Sequence, residues 1–324
     1  MNRRRILAAT AALAIAGVTV VSAASAHQQA PRKTYSIILI PGISTDAFYT
    51  TMHKGAAAEA AKHGIKLSYQ GSPTAFSPPT QIPFLNAAIA RHPDAILIAP
   101  TDKTALIAPI KKAIAAGIAV FTVDTYISSP IAISNVSSDN VAGGKAAAKA
   151  LAQAIGGKGT VAAISVQPGV STTDQRKQGF EQAIKTYKGI KYLGTQFDDD
   201  DQTKASQQAS ALMTAHSDLN GIFAMNVISG NGVTTAVKSA GKSGKVKLVE
   251  FDAEPLQVQA LKAGEIDALV AQDPFGIGKK AVSLAYQYLT KGKAGIAKHY
   301  GTGSAIITKA NVNSTAVKEY LYTK

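Results

Sequence analysis

Four short apolar runs in this chain each end at a polar residue that could bind a hydroxyl group. The polar residues are Asp124 after residues 120–123, Asn226 after 221–225, Asp252 after 246–251 and Gln272 after 268–271. Short runs rich in Val, Ile and Phe between helical stretches are typical of buried parallel strands. Because ligands of an open α/β sheet bind beyond the carboxyl ends of its strands, two carboxylates and two amides should meet there. The pattern predicts a binding cleft for a small polyhydroxy solute.

A further polar residue lies beside two aromatic rings near the start of the chain. Asp46, Phe48 and Tyr49 follow the first predicted strand and open the first predicted helix. Aromatic residues at such a turn commonly belong to the hydrophobic core. An apolar ring beside a carboxylate can also stack on the C–H face of a sugar. Both interpretations of Phe48 remain open from the residues alone.

Strand and helix patterns alternate along most of the chain. Nine strand candidates lie between residues 36 and 271, and Ala-rich stretches with helical periodicity lie between them. Regular alternation of this kind predicts parallel sheets flanked by helices, an α/β fold. A further helix is expected at 276–289, then an extended stretch at 304–309 and a C-terminal helix.

The alternation falls into two halves, which meet near residues 138 and 139. A chain of 324 residues is long for a single hydrophobic core, so two lobes are expected. No Pro/Gly-rich linker separates the halves, and the tail after Gln272 is too long to be a simple extension of the second. The tail could therefore cross back between the lobes, so that several hinge strands join them.

The first 26 residues have the composition of a secretory signal peptide. Arg3, Arg4 and Arg5 form a basic start, residues 6–21 are apolar, and Ala24–Ala26 offers a cleavage site. Residues 27–34 are then expected to form a flexible mature N-terminus. A retained membrane anchor is the alternative, and the arginines fit either general or twin-arginine export. The mature protein is expected to be secreted, and periplasmic or otherwise extracytoplasmic.

The composition argues against several classes of protein. The chain has no cysteine, which excludes disulfides and a lipoprotein anchor. Subtracting the three signal arginines from 34 basic residues leaves 31 against 20 acidic ones, a net charge of +11. The lysines are spread along the chain without interleaved aromatic residues. This spacing favours a solvated lysine coat over a nucleic-acid-binding surface.

No motif indicates catalysis, a cofactor or a metal. Ser138–Asn140 matches one element of serine β-lactamases, but the partner motifs are absent or misplaced, so Asp139 is interpreted as a helix cap. The Gly-Lys pairs at 144–145, 157–158 and 241–242 lack the glycine five residues earlier that a phosphate loop requires. Asp198–Asp201 is interpreted as a solvated loop before a helix, part of which could face the cleft. The six histidines lack metal-ligand spacing.

Seven short motifs follow one another along the mature chain. They are Asp94–Asp102 (DAILIAPTD), Gly117–Asp124 (GIAVFTVD), Val136–Lys145 (VSSDNVAGGK), Arg176–Phe180 (RKQGF), Gly221–Asn226 (GIFAMN), Leu248–Asp252 (LVEFD) and Ala271–Gln272 (AQ). In their order and spacing they resemble the periplasmic sugar-binding proteins of the ribose-binding type, the solute receptors of ABC importers. The resemblance implies two Rossmann-like, doubly wound α/β lobes joined by three hinge strands, the type I periplasmic binding protein fold.

The resemblance also implies how the chain divides between the lobes. Residues 35–138 plus 273–301 would form the N-terminal lobe, and residues 139–272 plus 302–324 the C-terminal lobe. Hinges are expected near Ser138–Asp139, Gln272–Pro274 and Gly301–Gly303, and a sugar bound between the lobes would draw them closed.

Matching motif to motif assigns most of the ligand-binding positions. Asp46, Phe48 and Tyr49 fall where the family places a polar residue and two stacking aromatics. The hydrogen-bonding positions of the family fall on Asp124, Arg176, Asn226, Asp252 and Gln272. Arg176 is added by the resemblance, and the other four are the residues that end the apolar runs.

Two departures from the ribose binders concern the choice of sugar. Those proteins carry an arginine directly after the aspartate that matches Asp124, where this chain has Thr125. They also carry an aromatic residue at about the place of Asp200. The chain therefore lacks the paired N–H donors of that arginine and the stacking face of that aromatic ring, which argues against assuming ribose as the ligand. Thr125 is kept as a candidate ligand-binding residue.

A second branch of the family, the autoinducer-2 receptors, resembles the chain at Thr173–Gln175 and Thr195–Phe197. Those receptors place an Asp-Gln pair on the ligand, so Asp174 and Gln175 are also candidates. They use a lysine just after the first strand as well, and the nearest position here is Gly42.

The sequence thus predicts a non-enzymatic solute-binding protein of an ABC importer. It would capture a small monosaccharide or polyol and deliver it to a membrane permease coupled to a cytoplasmic ATPase. We expect a monomer without cofactor, metal site or nucleic-acid partner. The alternative is a sensory binding protein, of the autoinducer-2 type or linked to a chemoreceptor.

Overall fold

The computed structural model describes residues 33–322, so the predicted signal peptide lies outside the described residues. Within this range the chain forms two six-stranded sheets. The strands are β1 Ser36–Ile40, β2 Lys66–Tyr69, β3 Ala95–Ile98, β4 Ala119–Val123, β5 Asn135–Ser138, β6 Lys158–Ser165, β7 Gly189–Phe197, β8 Leu219–Ala224, β9 Lys247–Phe251, β10 Ala268–Gln272, β11 His299–Thr302 and β12 Ser304–Thr308.

The two sheets repeat one topology. The first has the order β11-β5-β4-β3-β1-β2, and the second has the order β12-β10-β9-β8-β6-β7. Neighbouring strands are parallel except β10 and β12, which run antiparallel. Each sheet is thus a doubly wound unit completed by one strand from the tail, which confirms the predicted two-lobed α/β fold.

Helices cover the sheets, as the alternating pattern predicted. They are α1 Ala47–His63, α2 Pro78–Ala90, α3 Ile107–Ala115, α4 Asn140–Ala154, α5 Ser171–Ile184, α6 Gln202–Ala215, α7 Val227–Ser239, α8 Pro255–Ala263 and α9 Pro274–Lys291. The predicted C-terminal helix is instead a short 3-10 helix, Thr315–Tyr320. In residues 33–322 no helix combines the length and apolar composition needed to cross a bilayer.

The chain passes between the two sheets at three points within the described range. It crosses from β5 into α4 at Ser138–Asp139, from β10 into α9 after Gln272, and from β11 into β12 at Gly303. These crossings lie where the hinges were predicted. The assignment of particular residues to each lobe stays a prediction, and the membership of the sheets supports it.

Two pairs of helices pack closely against each other at glycines, and these contacts fix the elements that position the site. A β carbon on Gly144 of α4 would lie 2.0 Å from the backbone oxygen of Arg176 on α5, and one on Gly179 would be equally close to the backbone of α4. Side chains larger than hydrogen would force these backbones apart. The same holds at Gly55 and Gly278, where α1 crosses α9. The close packing fixes the helices that carry Arg176 and the first aromatic residues.

A buried carboxyl group lies behind the second sheet. Glu250 on β9 is fully buried, and its two oxygens accept hydrogen bonds from Thr234 Oγ1 at 2.5 Å and Gln257 Nε2 at 2.9 Å. Burial disfavours the charged form and raises the pKa of Glu250 from 4.5 to about 7, against the lowering effect of both donors. Stability from this group is therefore full below pH 4.5 and is lost as the pH rises through about 7.

We expect Glu250→Gln to remove this pH dependence. The unfolding free energy of the variant, relative to that of the wild type, should increase by about 3 kcal/mol as the pH is raised from 4.5 to 8. Urea denaturation at several pH values measures it. Glu181→Gln is the control, because Glu181 is half-buried and ion-paired with Lys177. A Glu250→Gln difference that stays constant with pH would contradict the assignment.

Candidate functional site

A cavity lies at the carboxyl ends of the strands of both sheets. It has an empty volume of about 440 Å³, which includes solvent at its mouth. Its lining residues are Asp46, Phe48, Tyr49, Phe76, Asp124, Val166, Val170, Thr172, Thr173, Arg176, Asp200, Asn226, Val227, Asp252 and Gln272. Eight of the eleven residues predicted from the sequence are therefore brought together, and their role in binding stays a prediction.

The turn between β1 and α1 supplies one carboxylate and two rings. Asp46 caps α1 by accepting a hydrogen bond from the backbone N–H of Phe48 at 2.7 Å. The rings of Phe48 and Tyr49 pack edge to face with centroids 5.2 Å apart, and Phe76 joins them from the loop before α2. Phe48 thus packs in the core and also lines the cavity, and its stacking on a sugar stays a prediction.

Asp124 follows β4 in a left-handed backbone conformation, with φ 59°. This conformation is uncommon for residues other than glycine and turns the carboxylate back toward the cavity. The Tyr49 hydroxyl donates to Asp124 Oδ2 at 2.8 Å. Burial raises the pKa of Asp124 to about 6, while Arg176 and the Tyr49 hydrogen bond oppose the rise.

Asp252 occupies the matching position after β9 and has φ 81°. Its Oδ1 accepts hydrogen bonds from Gln272 Nε2 at 2.6 Å and from the Tyr322 hydroxyl at 2.7 Å. Because a carboxylate only accepts, the bond from Gln272 fixes which way its amide points. Gln272 Oε1 is then a buried acceptor without a hydrogen-bond partner among the described residues. Such a group in a cavity is suited to accept from a ligand hydroxyl.

Arg176 brings a buried positive charge to the cavity. Its Nε donates to Asn140 Oδ1 at 2.9 Å, and NH1 donates to the backbone oxygen of Met225 at 2.7 Å. The guanidinium lies 3.7 Å from the centroid of the Phe251 ring, and its NH1 is 4.0 Å from Asp252 Oδ2. These contacts hold the guanidinium in one orientation before any ligand binds.

Asn226 and Asp200 form a pair on the second lobe. Asn226 caps α7, with Oδ1 accepting from the backbone N–H of Ser229 at 3.1 Å, so its Nδ2 faces Asp200 Oδ1 at 2.5 Å. Burial raises the pKa of Asp200 to about 6, and the hydrogen bond from Asn226 opposes that rise.

The cavity contains more acidic than basic groups. Four of its lining residues, Asp46, Asp124, Asp200 and Asp252, carry carboxyl groups, and Arg176 is the single basic residue among the described lining residues. Burial also raises the pKa of Asp46 well above its usual range, and the negative charge of Asp252 adds to the effect. The cavity is thus rich in acceptors and disfavours anions.

Three predicted residues do not line the cavity. Thr125 is fully buried, and its Oγ1 has no hydrogen-bond partner among the described residues. On α5 the cavity is lined by Thr172, Thr173 and Arg176, and Asp174 and Gln175 are not among its lining residues. The geometry therefore gives no support to Thr125, Asp174 or Gln175 as ligand-binding residues.

Asp174 instead joins the two lobes at the rim of the cleft. Its Oδ2 lies 2.6 Å from the Nζ of Lys103, which comes from the loop after β3. Beside this ion pair the Lys103 N–H donates to the Gly169 oxygen at 3.0 Å, and the Tyr126 N–H donates to Ser171 Oγ at 2.9 Å. The lobes thus contact each other directly along this edge.

Several residues that line the cavity could not be predicted from the sequence. Phe76 lies in an irregular loop, and Asp200 lies in an aspartate run that looked like a solvated turn. Three valines, Val166, Val170 and Val227, line the cavity without a polar group to mark them. Tyr322 reaches Asp252 from the far end of the tail, across 70 positions, and no local pattern signals such a contact.

Among residues 33–322 no three carboxylate or imidazole groups converge in a geometry that could hold a metal ion. The autoinducer-2 resemblance also meets a steric obstacle. A β carbon at Gly42 would lie 2.2 Å from the Phe76 ring and 2.8 Å from the Tyr49 hydroxyl. A lysine there would therefore displace an aromatic residue that lines the cavity.

Comparison with known proteins identifies the family to which the chain belongs. Residues 37–294 match the family model described as a periplasmic binding protein domain. The Ribose import binding protein RbsB of Salmonella typhimurium is 32% identical over 299 residues, which cover 92% of this chain and 97% of that protein. An ABC transporter solute-binding protein from Agrobacterium vitis, solved with bound alpha-D-tagatopyranose, has a TM-score of 0.87 and 48% identity and covers 90% of this chain and 100% of its own.

A third protein extends the comparison to another sugar. A carbohydrate transporter solute-binding protein from Agrobacterium radiobacter, solved in complex with D-arabinose, is 29% identical with a TM-score of 0.85, covering 90% of this chain and 99% of its own. The chain belongs to the family of periplasmic sugar-binding proteins of the ribose-binding type, solute-binding proteins of ABC transporters. The resemblance drawn from the seven motifs is confirmed.

We expect Tyr322→Phe to lower the free energy of unfolding by about 1 kcal/mol, because Asp252 loses one buried hydrogen bond while the ring still packs on Phe48. Urea denaturation measures the loss. Tyr187→Phe is the control, since its hydroxyl makes no hydrogen bond to another described residue. Equal stability of the two variants would show that the tail does not stabilise the cleft through Asp252.

Proposed function

We propose that this protein is the extracytoplasmic receptor of an ABC importer for a neutral monosaccharide, bound as a ring in the cavity between the lobes. The arrangement that supports the proposal is the pairing of three aromatic rings with four carboxyl groups and the unpartnered Gln272 oxygen. Rings cover the C–H face of a sugar, and carboxylates accept strong hydrogen bonds from its hydroxyls. Arg176 would donate to a ring or hydroxyl oxygen.

The charge of the cavity supports a neutral ligand. Four carboxyl groups face one guanidinium, so a uronate or a sugar phosphate would add negative charge where it is already in excess. A neutral polyol supplies donors to the carboxylates without adding charge. The sugars in the solved relatives, alpha-D-tagatopyranose and D-arabinose, are of this kind.

The proposed role continues beyond capture. After export and removal of residues 1–26, the protein would bind its sugar outside the cytoplasm and close about the three crossings. The closed form would then deliver the sugar to a membrane permease driven by a cytoplasmic ATPase. The residues around the cavity are explained by binding, and we propose no reaction there; the steric obstacle at Gly42 argues against an autoinducer-2 receptor.

Calorimetric titration of the mature protein tests the proposal. The panel is D-tagatose, D-arabinose, D-ribose, D-allose and D-fucose, with D-glucuronate as the anionic comparison. At least one neutral sugar should bind with a Kd of about 1 μM, equivalent to about 8 kcal/mol, and D-glucuronate should not. Absence of binding to every neutral sugar would refute the proposal.

We expect Asp124→Asn and Asp252→Asn each to weaken binding of the best sugar by about 10- to 100-fold, because a charge-assisted acceptor is replaced by a neutral amide. Asparagine also tolerates the left-handed backbone at both positions, so folding should survive. Asp218→Asn, at an exposed residue outside the cavity, is the control. Affinities equal to that of the control would place the ligand elsewhere.

The affinity should also depend on pH. Asp124 and Asp200 have pKa values raised to about 6, and a ligand hydroxyl that donates to them favours their ionised forms. Binding must then remove protons below pH 6, so the affinity should fall by about 5-fold for each carboxyl between pH 6 and pH 5. Titration calorimetry at pH 5, 6 and 7.5 measures this. Tighter binding at pH 5 would mean that the ligand prefers the protonated carboxyls.

A further inference from the structure

The two faces of the cavity differ in chemistry. Its aromatic residues, Phe48, Tyr49 and Phe76, all come from the first lobe, on α1 and the loop before α2. The second lobe contributes no aromatic ring among the described lining residues. Its lining residues include Asp200 and Asn226 together with valines. A ring-shaped ligand between the lobes would therefore meet three aromatic rings together with Asp46 and Asp124 on the side of the first lobe, and Asp200 without any aromatic ring on the side of the second.

Asp200 is held rigidly in this position. The Asp200 N–H donates to Asp198 Oδ1 at 2.8 Å, and Asp198 is completely buried, with Ser229 Oγ donating to its Oδ2 at 2.5 Å. The Asp199 N–H donates to the Val166 oxygen at 2.8 Å, which ties the turn to the end of β6. Asp199 and Asp200 both adopt left-handed conformations, with φ 57° and 60°. A turn fixed in this way aims one side chain into the cleft and its neighbour into solvent.

One oxygen of Asp200 is occupied and the other is available. Oδ1 accepts from Asn226 Nδ2, whose own oxygen is committed to the cap of α7. Oδ2 makes no hydrogen bond to any described residue. Because the Asn226 amide cannot rotate without losing its cap, the pair presents an acceptor of fixed direction.

We propose that Asp200, oriented by Asn226, is a specificity-determining residue that accepts a hydrogen bond from a hydroxyl on the sugar face turned toward the second lobe. The inference rests on the proposed sugar-binding function. The site therefore selects sugars with one face of C–H groups, which covers the aromatic rings, and an axial hydroxyl on the opposite face. Sugars with two flat apolar faces leave Asp200 buried against carbon, which is costly for a carboxylate.

A cycle of protein and ligand variants tests this role. The wild type, Asp200→Asn and Asp199→Asn are titrated by calorimetry with D-tagatose, D-arabinose, D-ribose, D-allose and D-fucose. They are then titrated with each monodeoxy analogue of the tightest-binding sugar. Asp199→Asn is a matched control, because that residue has the same backbone conformation but is exposed and ion-paired with Lys204. Circular dichroism checks that both variants fold.

We expect Asp200→Asn to weaken binding of the preferred sugar by about 10-fold and Asp199→Asn by less than about 2-fold. With one deoxy analogue the penalty of Asp200→Asn should fall below about 2-fold, because the partner hydroxyl is already absent. Equal effects of the two variants, or an Asp200→Asn penalty that persists with every deoxy analogue, would overturn the inference and leave the proposed function intact. A wild type that binds none of the sugars would overturn both.

Discussion

The burial of four carboxyl groups around one guanidinium is the constraint on which the rest of the cleft depends. Like charges in a confined space are costly unless they are protonated, paired or given hydrogen-bond donors. The protein supplies part of what is needed: a donor for each carboxyl group and the charge of Arg176, whose orientation is fixed by Asn140, Met225 and Phe251. What remains is acceptor capacity directed at one cavity, which a molecule with many hydroxyl groups can satisfy. The donors are the Phe48 N–H, Tyr49, Asn226, Gln272 and Tyr322.

Both lobes use the same device to aim a carboxylate. Asp124 and Asp252 each follow a central strand in a left-handed conformation, and each donates its N–H to the neighbouring strand, to the oxygens of Val136 at 2.8 Å and Val270 at 2.9 Å. The strand hydrogen bond holds a backbone conformation that would otherwise be unfavourable, and the strained turn directs the side chain back over the sheet edge. Repetition of this turn in two similar sheets brings two carboxyl groups to one cavity, one from each sheet.

Much of the fold and part of the site could be predicted from the sequence, because parallel strands buried on both faces leave long apolar runs and the residue that ends each run is conspicuous. Asp124, Asn226, Asp252 and Gln272 follow from that rule alone. Strands β5 and β11 could not be predicted in this way, because their sequences, NVSS and HYGT, are short and polar. Tyr322 could not be predicted because its contact depends on how the tail folds back. Asp200 could not be separated from Asp199 and Asp201, because the backbone hydrogen bonds of the turn decide which aspartate enters the cleft.

A crystal structure of the mature protein with the tightest-binding neutral sugar would test directly whether the carboxyl groups of the cavity bind sugar hydroxyls. We expect one sugar ring between the lobes, with hydroxyl oxygens about 2.5–2.9 Å from the carboxylates of Asp124 and Asp252 and a C–H face against Phe48. Density for the sugar outside this cavity, or a sugar in the cavity that makes no hydrogen bond to either carboxylate, would contradict this expectation.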